Sequence, residues 1–169
     1  MDDLHVAVVE RRVAALDVAA ALEFAADPHF GGIACFVGRV REHNLGRLVT
    51  GISYDLFEPL ALRLFRTIGA RARVEVNTSL KLWIAHAKGD LAMGDIAVVV
   101  AAGTPHRDEA FRACRLAIEA VKHEAPIWKQ EHYVDGDSAW SEGCSLCEEQ
   151  REVEHEQSRH DGAVHGHDR

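Results

Sequence analysis

The sequence predicts an α+β fold, with a mixed or antiparallel sheet and helices packed on one side of it. Three segments with helical periodicity are separated by six short apolar segments, in the order β-α-β-β-α-β-β-α-β. A Gly-rich connection that suits a hairpin joins two neighbouring strands, so those two strands are antiparallel. The chain has 169 residues, of which 47% are hydrophobic, and this is enough for one domain with its own core.

Six segments rich in branched and apolar residues are predicted strands. They are His5–Val9, Ile33–Val40, Thr50–Phe57, Leu80–His86, Ile96–Ala102 and Ile127–Val134. The second begins with an almost unbroken apolar run, which is typical of a strand buried on both faces. The connection between the fourth and the fifth carries Gly89 and Gly94, so we expect a loop there.

Three helices are predicted from the spacing of apolar residues and from residues that favour helix starts. Asp17 is a suitable N-cap for the first helix, and Pro59 fits the first turn of the second. Thr104 is the expected N-cap of the third, with Pro105 at its first position. The helices are predicted to span 18–26, 59 to about 73, and 105 to about 124.

The end of the chain differs in composition from the rest. Residues 144–169 carry seven acidic residues against three arginines and have little apolar content, which is typical of a disordered segment. We therefore predict one domain over residues 1–143 and a disordered acidic, His-rich tail over 144–169. Cys144 and Cys147 form a CxxC that would supply half of a zinc site, but the histidines of the tail are irregularly spaced. We expect no fixed metal site and no cofactor.

Charge and cysteine usage argue against several classes of protein. The net charge of −8 does not suit a general nucleic-acid or membrane-surface binder, because such proteins need clustered Lys and Arg. The sequence has no basic, apolar leader and no run of 18 apolar residues. Cys35 and Cys114 lie in apolar patterns and are predicted to be buried thiols. We expect a cytoplasmic protein in a reducing compartment.

Two lysines bracket the end of the third helix. Pro126 cannot continue the helix and biases Ala125 toward extended backbone, so a strand starts at once. This places Lys122 on the last helical turn and Lys129 early on the strand, close enough to share one pocket. A cationic neighbour disfavours the charged form of a lysine, and a neutral amine acts as a base or a nucleophile. The alternative is that both lysine stems lie along neighbouring apolar side chains.

Further cations lie at the ends of predicted elements. They are Arg39, Arg41, His43, His106 and Arg107. His106 and Arg107 stand at a helix N-terminus, where free N–H groups already favour an anion, so cations added there indicate a phosphate or carboxylate ligand. For any one of these residues, solvated surface charge is the alternative.

The length of the third helix constrains how these residues combine. Sixteen residues separate His106 from Lys122, which is ~24 Å along a helix. One small ligand can hardly touch both ends. Either there are two sites, or His106 and Arg107 reach the lysine pocket of a second copy of the chain in a symmetric homodimer.

Four blocks of this sequence, in this order, resemble a known family. They are Phe36-Val37-Gly38-Arg39-Val40-Arg41 with His43-Asn44, Gly89-Asp90-Leu91 with Gly94-Asp95, His106-Arg107 with Ala110-Phe111, and Lys122 with Ala125-Pro126-Ile127-Trp128-Lys129. From about Val6 to Gly143 the chain resembles the large, catalytic subunit of molybdopterin synthase.

The resemblance implies a hammerhead-type α/β fold and a homodimer that binds a small ubiquitin-like sulfur-carrier subunit at each end, giving a heterotetramer. It implies that the carrier's C-terminal Gly-Gly thiocarboxylate enters the pocket, where cyclic pyranopterin monophosphate receives two sulfurs and becomes molybdopterin, the ligand of the molybdenum cofactor. It implies Lys122 as the catalytic lysine and Lys129 as its support. The substrate-binding residues that it implies are Arg39, Val40, Arg41, His106, Arg107, Lys122, Lys129, Gln130 and Glu131.

Two other functions are weighed against this one. The first is a Schiff-base lyase that uses Lys122 or Lys129, and the second is a non-catalytic anion-binding dimer. Ala87 stands where the family often has an arginine, so an anchoring contact is lost, and Gln130 replaces a common basic residue; neither change removes a residue with a catalytic role.

Overall fold

The computed structural model describes residues 3–44 and 46–142 of the chain. In chain order the elements of this part are β1 (Leu4–Glu10), α1 (Val18–Ala25), β2 (Gly32–Arg39), β3 (His43–Asn44), β4 (Arg47–Leu56), α2 (Glu58–Glu75), β5 (Lys81–Ala92), β6 (Ile96–Thr104), α3 (Arg107–Glu124), β7 (Ile127–Tyr133) and β8 (Ser138–Glu142). All nine predicted elements are present. The sequence did not predict β3 and β8, because the first has only two residues and the second has no apolar run.

The strands form one open, mixed sheet. Their order is β2-β6-β5-β4-β7-β8, with β1 beside β5 and β3 beside β4. β1 runs parallel to β5, whereas the other described pairs are antiparallel. The predicted α+β fold, with a mixed sheet and packed helices, is confirmed.

The central strand β6 is covered on both faces, and its alternate residues meet different helices. Val98 and Val100 pack in one apolar cluster with α2 and α3, whereas Val99 and Ala101 pack in a second cluster with α1. The expectation that all helices lie on one side of the sheet is therefore wrong. The near-continuous apolar run of β6 is the sequence signal for a strand with two covered faces.

β5 is longer than predicted, because the strand continues through the expected loop and changes partner. It pairs with β6 as far as His86 and with β4 from Gly89 to Ala92. Gly89 has φ +91°, a conformation that side chains disfavour, at the point where the partner changes. A tight turn follows, in which Asp95 Oδ2 accepts the Ala92 N–H at 2.9 Å. β5 thereby links the helix-covered part of the sheet to the part that carries β4 and β7.

The start of α3 differs from the prediction. The helix begins at Arg107 with His106 as its N-cap residue, so Thr104 and Pro105 both precede it. Thr104 ends β6, and its hydroxyl donates to the carbonyl of His106 at 2.8 Å. The hydroxyl is therefore committed to the strand-to-helix connection and does not cap the helix.

β2 is an edge strand and is not buried on both faces as expected. Ile33 and Phe36 are 42% and 37% exposed, and Cys35 is also exposed, whereas Cys114 is buried as predicted. Among the described strands only β6 pairs with β2, so the other side of β2 has no strand partner. This edge is consequently an open apolar surface of the single chain.

The predicted tail, with Cys144 and Cys147, lies outside the described residues. In the part that the structure describes, no helix is long and apolar enough to cross a membrane. The same part holds no group of three or more His, Cys, Asp or Glu side chains that could bind a metal ion.

Candidate active site

The corner between α3 and β7 is built as the sequence predicts. The residue after α3, Ala125, has φ −79° and ψ 137°, which is extended backbone. β7 starts two residues later at Ile127. Lys122 thus lies on the last turn of α3, and Lys129 lies on β7 with its side chain pointing inward, because β7 alternates between buried and partly exposed residues.

A cavity of about 310 Å³ opens at this corner, a size that suits a small ligand. Its lining includes residues from β2, β3, β4, β6, α3 and β7. They are Phe36, Gly38, Arg39, Arg41, Asn44, Val49, Ile52, Tyr54, Ala97, Val98, Ile118, Glu119, Lys122, Lys129 and Glu131. The structure thus brings together five of the predicted site residues, and four cationic side chains face two carboxylates.

Lys129 and Glu131 form a buried ion pair on one wall of the cavity. They are 5% and 4% exposed, and Lys129 Nζ donates to Glu131 Oε1 at 3.0 Å. The other carboxylate oxygen, Oε2, accepts from Asn44 Nδ2 and from the Tyr133 hydroxyl, each at 2.7 Å. Arg41 extends this network outward, because it donates to Asn44 Oδ1 at 3.3 Å. Both carboxylate oxygens of Glu131 therefore accept hydrogen bonds, and the Lys129 ammonium is fixed in place.

Two acidic groups of the cavity have perturbed pKa values. Burial opposes ionisation of Glu131, but the hydrogen bonds from Tyr133, Lys129 and Asn44 and the Lys129 charge outweigh burial, so the pKa of Glu131 lies below its ordinary value. Burial, with a contribution from the Glu131 charge, raises the pKa of Tyr54 to about 12. Glu131 is thus an anion and Tyr54 a neutral phenol at neutral pH.

Lys122 differs from Lys129 in its surroundings. It is only partly buried and makes no hydrogen bond or ion pair with any residue that the structure describes. Glu119, one turn earlier on α3, also lines the cavity but is not paired with Lys122. The positive charge of Lys129 is compensated and that of Lys122 is not, so Lys122 is the lysine whose amine can meet a ligand.

Four predicted site residues do not line this cavity. His106 and Arg107 are exposed at the opposite end of α3. Val40 is buried in the core, and its N–H and C=O bond to backbone of the β5–β6 turn at 3.0 and 2.8 Å. Gln130 points to the other face of β7, where it donates to Ser138 Oγ at 3.0 Å. Within one chain, the cavity therefore contains the two predicted lysines but not the predicted pair His106 and Arg107.

Sequence reasoning missed three polar residues of the site. Asn44, Tyr54 and Tyr133 were not predicted as site residues, although each contacts the cavity or the Glu131 carboxylate. Strand alternation offered a signal for Tyr133, since it shares the inward face of β7 with Lys129 and Glu131. Strand alternation gives no such signal for Asn44, which belongs to one of the family-like sequence blocks and whose position depends on the short pairing of β3 with β4.

The fold and the site define a class of protein. A half-open cavity with apolar walls, a surplus of cationic side chains and one unpaired lysine suits the binding of a small organic anion next to a reactive amine. Comparison with known proteins gives the family. The family model described as "MoaE protein" matches residues 12–124, and the chain belongs to this family.

Relatives and solved structures agree with this assignment. The molybdopterin synthase catalytic subunit of Synechococcus elongatus is 46% identical over 143 residues, which cover 85% of this chain and 87% of the relative. The crystal structure of molybdopterin synthase from Staphylococcus aureus superimposes with a TM-score of 0.74 at 31% identity, and covers 83% of this chain and 98% of that chain. A complex of subunits 1 and 2 of the molybdopterin-converting factor from Helicobacter pylori matches with a TM-score of 0.65 at 26% identity, and covers 82% and 90%.

Proposed function

We propose that this chain is the sulfur-transferring subunit of a molybdopterin synthase. It converts cyclic pyranopterin monophosphate to molybdopterin, and it takes the sulfur from the C-terminal thiocarboxylate of a small ubiquitin-like carrier subunit. Family membership and the H. pylori complex of two subunits support this function. The chemistry of the cavity supports it as well, because both reactants carry negative charge and Arg39, Arg41 and Lys122 face the cavity.

One observation carries the assignment of roles. Of the two lysines at the corner, only Lys122 lacks an anionic partner among the described residues, whereas Lys129 is held by Glu131 at 3.0 Å. We assign Lys122 as the base or transient acyl acceptor and Lys129 as a positive charge, fixed by Glu131, that lines the cavity and supports Lys122. Arg39 and Arg41 complete the anion site at the rim of the cavity.

The direct test is a Lys122→Ala variant in an assay with thiocarboxylated carrier and the cyclic precursor. We expect a loss of about 100-fold or more, because the reacting amine is removed. Lys88→Ala, which removes a lysine of β5 outside the cavity, is the matched control and is expected to keep wild-type activity. Activity of Lys122→Ala equal to that of the control would refute the assignment.

We further propose that His106 and Arg107 act in the pocket of a second copy of the chain. The helix length places them ~24 Å from Lys122 of their own chain. The start of α3 lies beside the first residues of the edge strand β2, where Gly31 N–H bonds Pro105 C=O at 3.1 Å. Ile33 and Phe36 of that edge, and Phe111 of α3 at 66% exposure, offer apolar surface for an isologous contact. The homodimer with two carriers would be a heterotetramer.

Mixing two inactive variants tests the shared pocket. Lys122→Ala and Arg107→Ala lie in different chains of one pocket if the proposal is right, so a mixed dimer keeps one intact pocket. We expect activity to return when the two variants are unfolded together and refolded, in proportion to the mixed dimer measured by native mass spectrometry. Mixed dimers without activity, or a monomer in light scattering at micromolar concentration, would contradict the proposal.

Three further proposals concern the catalytic domain, the tail and the location of the protein. We propose that residues 1–143 form the catalytic domain and that 144–169 form an accessory tail without a cofactor or a fixed metal. We also propose a cytoplasmic location. Both described cysteines, Cys35 and Cys114, are free thiols, as a reducing compartment favours.

A further inference from the structure

A second, smaller cavity lies behind Lys122. It has a volume of about 50 Å³ and shares Tyr54, Val98, Ile118 and Lys122 with the larger one. His86, Val121 and Ile127 form its inner wall. A cavity of this size has room for at least one water molecule, provided that polar atoms face it. Lys122 therefore stands between the substrate cavity and an inner cavity with a histidine in its wall.

The hydrogen bond of His86 fixes which ring nitrogen is a hydrogen-bond acceptor. His86 is 6% exposed, and its Nδ1 lies 2.7 Å from the carbonyl oxygen of Ala87. A carbonyl only accepts, so Nδ1 carries the hydrogen and Nε2 is the unprotonated nitrogen. Nε2 makes no hydrogen bond with a described residue. Among the described residues, the only fully enclosed side-chain nitrogen or oxygen without a partner is Trp83 Nε1, so Nε2 is not fully enclosed, and His86 lines the inner cavity.

The groups around His86 keep its ring neutral. Burial lowers the pKa of His86 to about 4, and the nearby Lys122 charge acts in the same direction. The other titratable group packed against it is Tyr54, whose ring meets the imidazole edge-on at 4.9 Å. Glu131 and Lys129 lie on the far side of Tyr54, in the larger cavity. At neutral pH the imidazole is thus a hydrogen-bond acceptor in the wall of the cavity that Lys122 also lines.

We propose that His86 is a positioning residue for Lys122: its Nε2 holds a water molecule in the inner cavity, and this water accepts a hydrogen bond from the Lys122 ammonium. The water donates one hydrogen to Nε2 and receives one from Nζ, so His86 gains a donor and Lys122 gains an acceptor. The bridge holds the amine at the boundary between the two cavities. It also competes with Glu119, the carboxylate one turn earlier on α3, which would otherwise draw the lysine to the rim.

This inference rests on the proposed function, because it assigns Lys122 as the reacting group. Substitutions at His86 separate positioning from simple core packing. His86→Gln puts an amide oxygen close to the place of Nε2, whereas His86→Asn is polar but too short to reach it, and His86→Leu is apolar. We expect the Asn and Leu variants to lose roughly 10-fold to 100-fold in single-turnover sulfur transfer at saturating precursor, the loss that follows a misplaced group. The KM for the precursor should stay unchanged, and the Gln variant should remain within about 3-fold of wild type.

A structural measurement makes the test independent of the sulfur-transfer assay. In crystals of the wild-type chain at high resolution, we expect density for a water bonded to His86 Nε2 and Lys122 Nζ, and in His86→Leu we expect Lys122 turned toward Glu119. A dry inner cavity, or equal losses in the Gln and Asn variants with native melting temperatures, would overturn the positioning role. If the wild-type protein transfers no sulfur, the proposed function fails, and the density still decides whether His86 holds Lys122 through water.

Discussion

Replacing Glu131 by Gln tests the buried ion pair more sharply than any other single change. The substitution keeps the shape of the side chain but leaves one acceptor oxygen where there were two. Three donors converge on the carboxylate: Lys129 on Oε1, and Asn44 and Tyr133 together on Oε2. A glutamine must therefore turn its NH₂ group toward the ammonium or toward the other two donors, and in either case the Lys129 charge has no counterion.

The magnitude follows from the burial of the pair. Lys129 and Glu131 are 5% and 4% exposed, so the ammonium left behind has little access to water. Removing one partner of such a pair typically costs about 3–5 kcal/mol of unfolding free energy, and an unsatisfied buried donor costs about 1–3 kcal/mol when it is neutral. Because Lys129 borders the cavity and can relax into it, we expect the lower part of the first range, about 3 kcal/mol.

Urea unfolding at pH 7 measures this loss, and an exposed ion pair supplies the control. Glu124 accepts from Arg71 at 2.7 Å, a shorter distance than in the buried pair, but the two side chains are 42% and 36% exposed. We expect Glu124→Gln to cost less than about 1 kcal/mol, because solvent screens the pair. In a double-mutant cycle, Glu131→Gln should cost less in the Lys129→Met background than in wild type, because methionine carries no charge that needs a counterion. A loss below about 1 kcal/mol in Glu131→Gln, without coupling to Lys129, would refute the reasoning.

The pH dependence of the unfolding free energy is a second test of the Lys129–Glu131 ion pair. Burial opposes ionisation of Glu131, but its hydrogen bonds from Tyr133 and Lys129 hold its folded-state pKa below the ordinary value of 4.5. A lowered carboxyl pKa means that the stability is fully present above pH 4.5 and is lost as the pH falls below it. The difference in stability between wild type and Glu131→Gln should therefore shrink on acidification. A difference that stays constant from pH 7 to strongly acidic pH would contradict this explanation.

Two further predictions concern the β5–β6 hairpin. Asp95 accepts hydrogen bonds from Arg11 and from the Ala92 N–H, and these bonds lower its pKa below 3.8. Asp95→Asn should therefore have a lower melting temperature than wild type, with the full difference above that pH and a smaller difference below it. Gly89→Ala should destabilise by more than about 1 kcal/mol in urea unfolding because φ is +91°, and by slightly more than Gly94→Ala, which has φ +81° but open space around it, because the Glu10 carboxylate must move away from the added methyl group. Equal effects of the two glycine substitutions would show that crowding near Gly89 does not matter.

Local sequence signals determined the elements of this fold. Apolar periodicity located the three helices and six of the strands, and Pro126 located the corner that carries Lys122 and Lys129. The errors lie where tertiary contacts decide. Thr104 is of a residue type that favours N-caps, but its hydroxyl donates to the carbonyl of His106, in the connection before the helix. Cys35 lies in an apolar run, but its strand is at the edge of the sheet.

The same distinction between local signals and tertiary contacts applies to the candidate site. The sequence by itself determined that two lysines meet at a helix-to-strand break, because the proline effect and strand alternation are short-range properties of the backbone. Only the tertiary structure decided that they are not equivalent. Glu131 and Asn44 are 87 residues apart in sequence, and they meet only because β7 pairs with β4 and β4 with β3. Lys129 and Glu131 are neighbours on one face of β7, but that pairing buries them and brings Asn44 to Glu131, whereas Lys122 on α3 stays an unpaired amine, because burial depends on neighbours that are distant in the chain.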